Sequence, residues 1–112
     1  MTTTYRNYIA GEWVKCRSGE VFPSVNPANT EEVLGYFQKS GTADAKDAIA
    51  AAKSAFPSWS RTAAPKRGEF LFKLIALLEN RREELAETIT REVGKTLREA
   101  RGEVNKTILS MK

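Results

Sequence analysis

The spacing of apolar residues changes near residue 42. Before it, apolar residues fall in short runs broken by turn formers. Tyr8-Ile9 and Trp13-Val14 flank Ala10-Gly11-Glu12, a short hairpin signal. Val21, Phe22 and Val25 predict a second short strand. Asn26-Pro27-Ala28-Asn29-Thr30 reads as a turn, because the residue before proline is pushed to extended geometry and asparagine tolerates left-handed angles. Residues 33–38 then read as a returning strand. This meander amounts to half of a sheet, and such a piece is marginal in water without a packing partner.

From Thr42 onward the period is helical. Thr42 is the expected N-cap, with Asp44 and Asp47 near the positive end of the helix dipole. Ala45, Ile49, Ala52 and Phe56 make one apolar face, and Pro57 is expected to end the helix. Pro65 suits the first turn of the next, whose stripe is Phe70, Leu71, Leu74, Ile75 and Leu78. Leu85, Ile89 and Val93 continue at a spacing of four, and the pattern leaves open whether the chain breaks near Asn80 or runs through. Gly94 suits a left-handed C-cap. Thr96-Leu97-Arg98-Glu99 fits a capping box. Leu97, Ala100, Val104, Ile108 and Met111 then form one helical face. That pattern is still running at Lys112, so the sequence predicts the front portion of something larger. Leu109 and Met111 are expected to pack against residues outside the chain. Several stripes with little sheet to receive them predict that the isolated chain self-associates or is partly loose.

Composition narrows the classes. The chain has 112 residues, enough for one small domain, with 41% hydrophobic and 29% charged residues. No stretch approaches a membrane span, and the N-terminus lacks the apolar core of a signal peptide. The one cysteine cannot form an internal disulfide, so a cytoplasmic location is expected. There is no histidine, which removes Ser-His and Cys-His nucleophile pairs and a Cys/His zinc site. The net charge of +4 is mild and the charges are mixed along the helices, without the basic stripe of a nucleic-acid binder.

Candidate chemistry is thin. Cys16 sits between Lys15 and Arg17, which favours a thiolate, but a nucleophile also needs a base and an oxyanion site. An exposed loop cysteine is the expectation. Glu83, Glu84 and Glu87 stand beside Arg81, Arg82 and Arg91, the pattern of a solvated ion-pair face. Gly94-Lys95-Thr96 resembles the end of a phosphate loop, but its first glycine would fall at Ile89. Trp13, Phe56 and Trp59 are expected in a core or interface. These residues assemble no active site.

The motifs taken together resemble the aldehyde dehydrogenase superfamily. Tyr8-Ile9-Ala10-Gly11-Glu12-Trp13-Val14 is similar to its opening strand pair, and Ser24-Val25-Asn26-Pro27-Ala28 to its Asn-Pro turn. Residues 43–59, ending Ala55-Phe56-Pro57-Ser58-Trp59, resemble its first helix, and residues 67–84 the next. Glu92-Val93-Gly94-Lys95 resembles its "E-x-G-K" segment. Five collinear motifs cover nearly the whole chain. Ala10-Gly11 departs from the family's usual Asn-Gly and leaves the turn type open.

The resemblance implies an α/β fold: residues 1–112 as a partial N-terminal cofactor-binding domain, with a β-hairpin meander over 1–40 and a helical segment over 42–112. Three or four helices of a Rossmann-like domain would face an incomplete sheet. It implies a longer parent that oxidises an aldehyde to the acid with NAD or NADP, using a cysteine, a glutamate and a cofactor loop beyond position 112. No catalytic or cofactor-binding residue is then expected here, and no cofactor is expected to bind these residues alone. By resemblance, Ser24 and Glu92 stand where some members hold a structural cation, and Gly102, Asn105 and Lys106 border the substrate entrance. Residues 90–103 especially resemble bacterial semialdehyde dehydrogenases, such as those acting on 2-oxoglutarate semialdehyde. A small-molecule aldehyde, a homo-oligomer, no nucleic acid and no membrane complete the expectation. The rival reading is a non-catalytic, self-associating helical interaction module.

Overall fold

A computed structural model describes residues 2–112. Short strands come first and four helices follow, with the sheet left incomplete, as an α/β N-terminal segment of this kind requires. The chain divides into two compact units. One comprises Met1–Val25 and Val33–Arg61, the other Asn26–Glu32 and Thr62–Lys112.

In the first unit, β1 (Asn7–Ile9) and β2 (Glu12–Val14) pair antiparallel, with Ile9 opposite Glu12 and Tyr8 opposite Trp13. The connection is therefore two residues, Ala10 and Gly11, with φ of 54° and 82°. Positive φ at both central positions defines the I′-like geometry that matches strand twist. It resolves the turn type, and places an alanine where a Cβ is strained. The Tyr8 and Trp13 rings lie 4.9 Å apart across the strands, and both are exposed.

β3 (Val21–Asn26) pairs with β4 (Asn29–Gln38), which starts four residues earlier than the sequence pattern indicates. The residue-3–5 segment adds a short parallel bridge, with the Tyr5 amide on the Tyr36 carbonyl at 2.8 Å. Tyr5 stacks on Phe37 with ring centres 4.9 Å apart.

α1 spans Thr42–Arg61 and differs from expectation twice. Thr42 is the first helical residue rather than the cap. Asp44 does the capping: its carboxylate accepts the Gly41 amide at 2.8 Å and the Arg17 amide at 2.9 Å. A carboxylate in the third helical position reaches back to the open amides and meets the positive end of the dipole. Pro57 lies inside the helix, which continues a turn further to Arg61. Proline's φ is already helical, but at this position the ring removes one backbone hydrogen bond and crowds the carbonyl four residues back, a cost the helix carries for its last turn. Ile49 and Phe56, on the predicted apolar face, are largely exposed; Asp44 is the buried residue of α1.

The second unit contains α2 (Ala64–Asn80), α3 (Arg82–Val93) and α4 (Leu97–Met111). The chain does break after Asn80: Arg81 leaves helical geometry at φ −112° and ψ 19°. Ile75, Ala86, Ala100, Val104 and Ile108 form the core, flanked by Leu78, Leu85, Ile89, Leu97 and Met111. Ala86 on α3 and Ala100 on α4 have no exposed surface, so small side chains let the two helices approach closely. The predicted stripe of α2 is covered on one side only. Ile75 is buried, whereas Phe70, Leu71 and Leu74 stay substantially exposed.

Candidate functional site

A connected set of specific interactions lies in the second unit, where the β3–β4 turn meets the C-terminal end of α3. Asn26 is buried, and its Oδ1 accepts the Ala28 amide at 2.9 Å, which closes the turn around Pro27. Its Nδ2 donates to Glu32 Oε2 at 2.8 Å. Glu32 Oε1 accepts Arg91 Nε at 2.8 Å, and Arg91 Nη2 lies 2.6 Å away. The hydrogen bond from Asn26, then the Arg91 guanidinium, holds the Glu32 carboxyl below the usual carboxylate range.

Three residues past Arg91, Gly94 caps α3 at φ 77°, with its amide on the Thr90 carbonyl at 2.9 Å. A Cβ there would stand 2.9 Å from Pro27 Cγ and 3.3 Å from the Ala28 nitrogen. Only glycine fits both the left-handed angle and the closeness of the turn. Lys95 then pairs with Glu103 of α4. Thr96 accepts the Glu99 amide at 3.2 Å while Glu99 Oε2 accepts the Thr96 amide at 3.1 Å, the capping box expected from the sequence. The Thr96 hydroxyl and amide hold the Glu99 carboxyl below its ordinary value. Turn, α3 cap and α4 start are thus one clasp. It fixes backbone direction and offers no nucleophile.

The residues proposed for function are dispersed. Ser24 is half-buried on β3 and Glu92 is exposed on α3; they belong to different units. Among the described residues, no group of three Cys, Asp or Glu side chains is placed to hold a metal. Gly102, Asn105 and Lys106 are exposed on α4. Gly102 has open space where a Cβ would be. Asn105 Oδ1 accepts Arg82 Nη1 at 2.9 Å, which ties α4 to the start of α3.

Cys16 corrects the sequence expectation. It is 4% exposed rather than an open loop thiol. Its Sγ donates to the Glu20 carbonyl at 3.2 Å and its amide donates to the buried Gln38 Oε1 at 2.9 Å. Burial and a carbonyl acceptor suit a structural thiol, since a reactive one needs a positive, open setting. Of the core-or-interface expectation for Trp13, Phe56 and Trp59, the core is excluded, since all three are exposed in this chain. The acidic residues of α3 do form a solvated ion-pair face: Glu84 pairs with Arg81, and Glu83 with Arg101.

Sequence reasoning placed Asp44 at the helix start but missed its capping bonds, and it missed Gln38 and the Glu32–Arg91 pair. A signal existed for Asp44, an acid three residues after a glycine at a helix start. For Glu32 and Arg91, 59 residues apart, none did.

Comparison with known proteins gives this arrangement its family. The aldehyde dehydrogenase family model matches residues 13–112. The chain belongs to that family. It is 43% identical over 105 residues to the alpha-ketoglutaric semialdehyde dehydrogenase of Bacillus subtilis (strain 168), covering 94% of this chain and 22% of that protein. It is 47% identical over 111 residues to malonate-semialdehyde dehydrogenase 1 of Geobacillus thermodenitrificans (strain NG80-2), covering 96% and 23%. Among solved structures, HpcC from Thermus thermophilus superposes with a TM-score of 0.90 at 37% identity, over 96% of this chain and 21% of that one. The chain spans about a fifth of the length of these relatives.

Proposed function

We propose that this chain forms the N-terminal part of a cofactor-binding domain, residues 1–112, in an NAD- or NADP-dependent aldehyde dehydrogenase. Such an enzyme converts an aldehyde and water to the carboxylic acid, passing a hydride to the nicotinamide and releasing a proton. The observation that carries the reading is the continuous family match over residues 13–112. The names of several relatives add the substrate class: the first two above act on semialdehydes, by their names. A putative methylmalonate-semialdehyde dehydrogenase from Sinorhizobium meliloti 1021, solved with NAD, shares 37% identity at a TM-score of 0.79. A dicarboxylic semialdehyde is therefore the proposed substrate.

In this reading residues 1–112 do not touch the reacting atoms. Their part is architectural: the clasp sets the direction in which α4 leaves Gly94. Gly102, Asn105 and Lys106 are proposed at the substrate entrance, where the Lys106 ammonium would attract a distal carboxylate. Ser24 and Glu92 are proposed to contribute oxygen ligands to a structural cation, a hard-ion arrangement. The enzyme is proposed to be a cytoplasmic homo-oligomer, and the chain alone to be inactive and to bind no cofactor. No helix among the described residues is long and apolar enough to cross a membrane.

The test is the substrate preference of an enzyme that carries this segment, measured as kcat/KM. A preference for dicarboxylic semialdehydes over neutral aliphatic aldehydes is expected, and Lys106→Gln should raise KM for the former with kcat little changed. Equal or better turnover of neutral aldehydes would reject the substrate class. Loss of nicotinamide dependence would reject the reaction.

A further inference from the structure

Polar side chains tie α4 to the junction of α2 and α3. Arg101 Nε donates to Glu83 Oε2 at 3.1 Å. Arg82 Nη1 donates to Asn105 Oδ1 at 2.9 Å, and Lys112 Nζ pairs with Glu79 Oε1 at 2.9 Å. Glu79, Arg82 and Glu83 stand on either side of the break at Arg81. Arg101 and Asn105 are four residues apart, so they share one side of α4. The core face, with Ala100, Val104 and Ile108, lies next to that side. Apolar burial therefore brings α4 against its neighbours, and the ties fix its rotation about its own axis. They are contacts within one unit and do not depend on what covers it.

The tie to Asn105 bears on the proposed substrate entrance. A guanidinium has donors only, so the oxygen of the Asn105 amide is the end that meets Arg82, and its N–H donors face away. Asn105 is thus oriented as well as placed. Arg82 is itself steadied from α2, with Nη2 3.8 Å from Glu79 Oε1. Lys106 follows Asn105 by one residue, about 100° further round the helix. Gly102 stands one turn before Lys106, on a side that neither the core nor these ties use. A helix turns as a rod, so a rotation that releases Asn105 swings Lys106 with it.

Resting on the reading of Lys106 as the cation of the entrance, we propose that Arg82 is a positioning residue for substrate selection. It holds the Asn105 amide, and through the rotation of α4 it sets the direction of the Lys106 ammonium. Arg82 itself touches neither substrate nor cofactor. Its effect is confined to substrates with a distal carboxylate, because a neutral aldehyde offers the ammonium no partner.

The test is steady-state kinetics of an enzyme that carries this segment, with a dicarboxylic semialdehyde and a neutral aliphatic aldehyde. Arg82→Gln is expected to raise KM for the semialdehyde by about threefold to tenfold, the net effect of one hydrogen bond. Its kcat, and both constants for the neutral aldehyde, should stay as they are. Asn105→Ala should raise the same KM by at least as much, and Arg82→Gln should then add nothing. In a Lys106→Gln background Arg82→Gln should likewise add nothing, since residues acting in one chain are not additive. Additive losses would make Arg82 a separate attraction for the substrate's charge and overturn the proposal. Equal losses on both aldehydes, or a lower kcat on both, would leave Arg82 a purely structural tie and overturn it too. If Lys106→Gln raises KM and Arg82→Gln does not, the relay falls and the entrance stands. If Lys106→Gln leaves the semialdehyde KM unchanged, the entrance falls and takes the relay with it.

Discussion

Replacing Gly94 by alanine tests the clasp at its tightest point. Gly94 sits at φ 77°, where an L side chain costs about 1–2 kcal/mol. The new Cβ would also lie 2.9 Å from Pro27 Cγ. That atom belongs to a ring and cannot swing aside, and the Ala28 nitrogen behind it is backbone. Overpacking of this kind costs about 1–3 kcal/mol where the backbone must shift. Alanine recovers roughly 0.4–1 kcal/mol by restricting the unfolded chain. The balance is a loss of about 2 kcal/mol or somewhat more. Urea denaturation followed by far-ultraviolet circular dichroism measures it, provided the slope with denaturant is unchanged. A cycle with Pro27→Ala separates the two causes. Removing the ring should restore part of the loss, while the left-handed strain stays. A Gly94→Ala variant within about 0.5 kcal/mol of the parent, or a Pro27→Ala change that restored nothing, would refute the close approach as a cause.

The same backbone geometry and carboxylate contacts carry three further outcomes. Ala10→Asn should stabilise the β1–β2 hairpin by roughly 1 kcal/mol, because asparagine accepts the φ of 54° that alanine resists; a neutral or negative shift in urea midpoint would contradict the turn geometry. Gly102→Ala should stabilise by about 0.5–1 kcal/mol, since its Cβ meets only open space in mid-helix, and a destabilised variant would mean that α4 is packed otherwise. Glu32, Asp44 and Glu99 all have carboxyls held below their ordinary values, by Asn26 and Arg91, by the Gly41 and Arg17 amides, and by Thr96 respectively. A carboxyl lowered in the folded state binds fewer protons there than when unfolded. Its contribution is present above the unfolded value near ~4 and is lost as pH falls through the folded one. Melting temperature should therefore drop steeply below about pH 4, and Glu32→Gln should flatten part of that drop; an unaltered profile would remove Glu32 from the account.

Local chemistry was legible and long-range chemistry was not. The Ala10-Gly11 turn, the Gly94 cap and the Thr96–Glu99 box are decided within a few residues, and each stands where the pattern puts it. The face of α4 was equally plain, because Ala100, Val104 and Ile108 obey helical spacing and all are buried. Pro57 and Thr42 were misplaced for a physical reason. Each rule describes a preference worth about 1–3 kcal/mol, and a competing contact such as the Asp44 carboxylate outweighs it. Cys16 looked exposed because its neighbours are charged, yet the Gln38 side chain and the Glu20 carbonyl enclose it from later in the chain. The spacing of Ile49 and Phe56 showed a face but carried no information on what covers it. For the site, the family resemblance pointed to Ser24, Glu92 and the α4 residues by position alone; the Asn26–Glu32–Arg91 chain could be seen only in three dimensions.

The central claim is that residues 1–112 serve an aldehyde dehydrogenase without holding its chemistry. The most direct measurement is nicotinamide reduction by the purified 112-residue chain, supplied with a dicarboxylic semialdehyde and with NAD or NADP. The account predicts no rate above the protein-free blank, and no change on Cys16→Ser. Catalytic turnover that Cys16→Ser abolishes would place the nucleophile inside this chain and contradict the account.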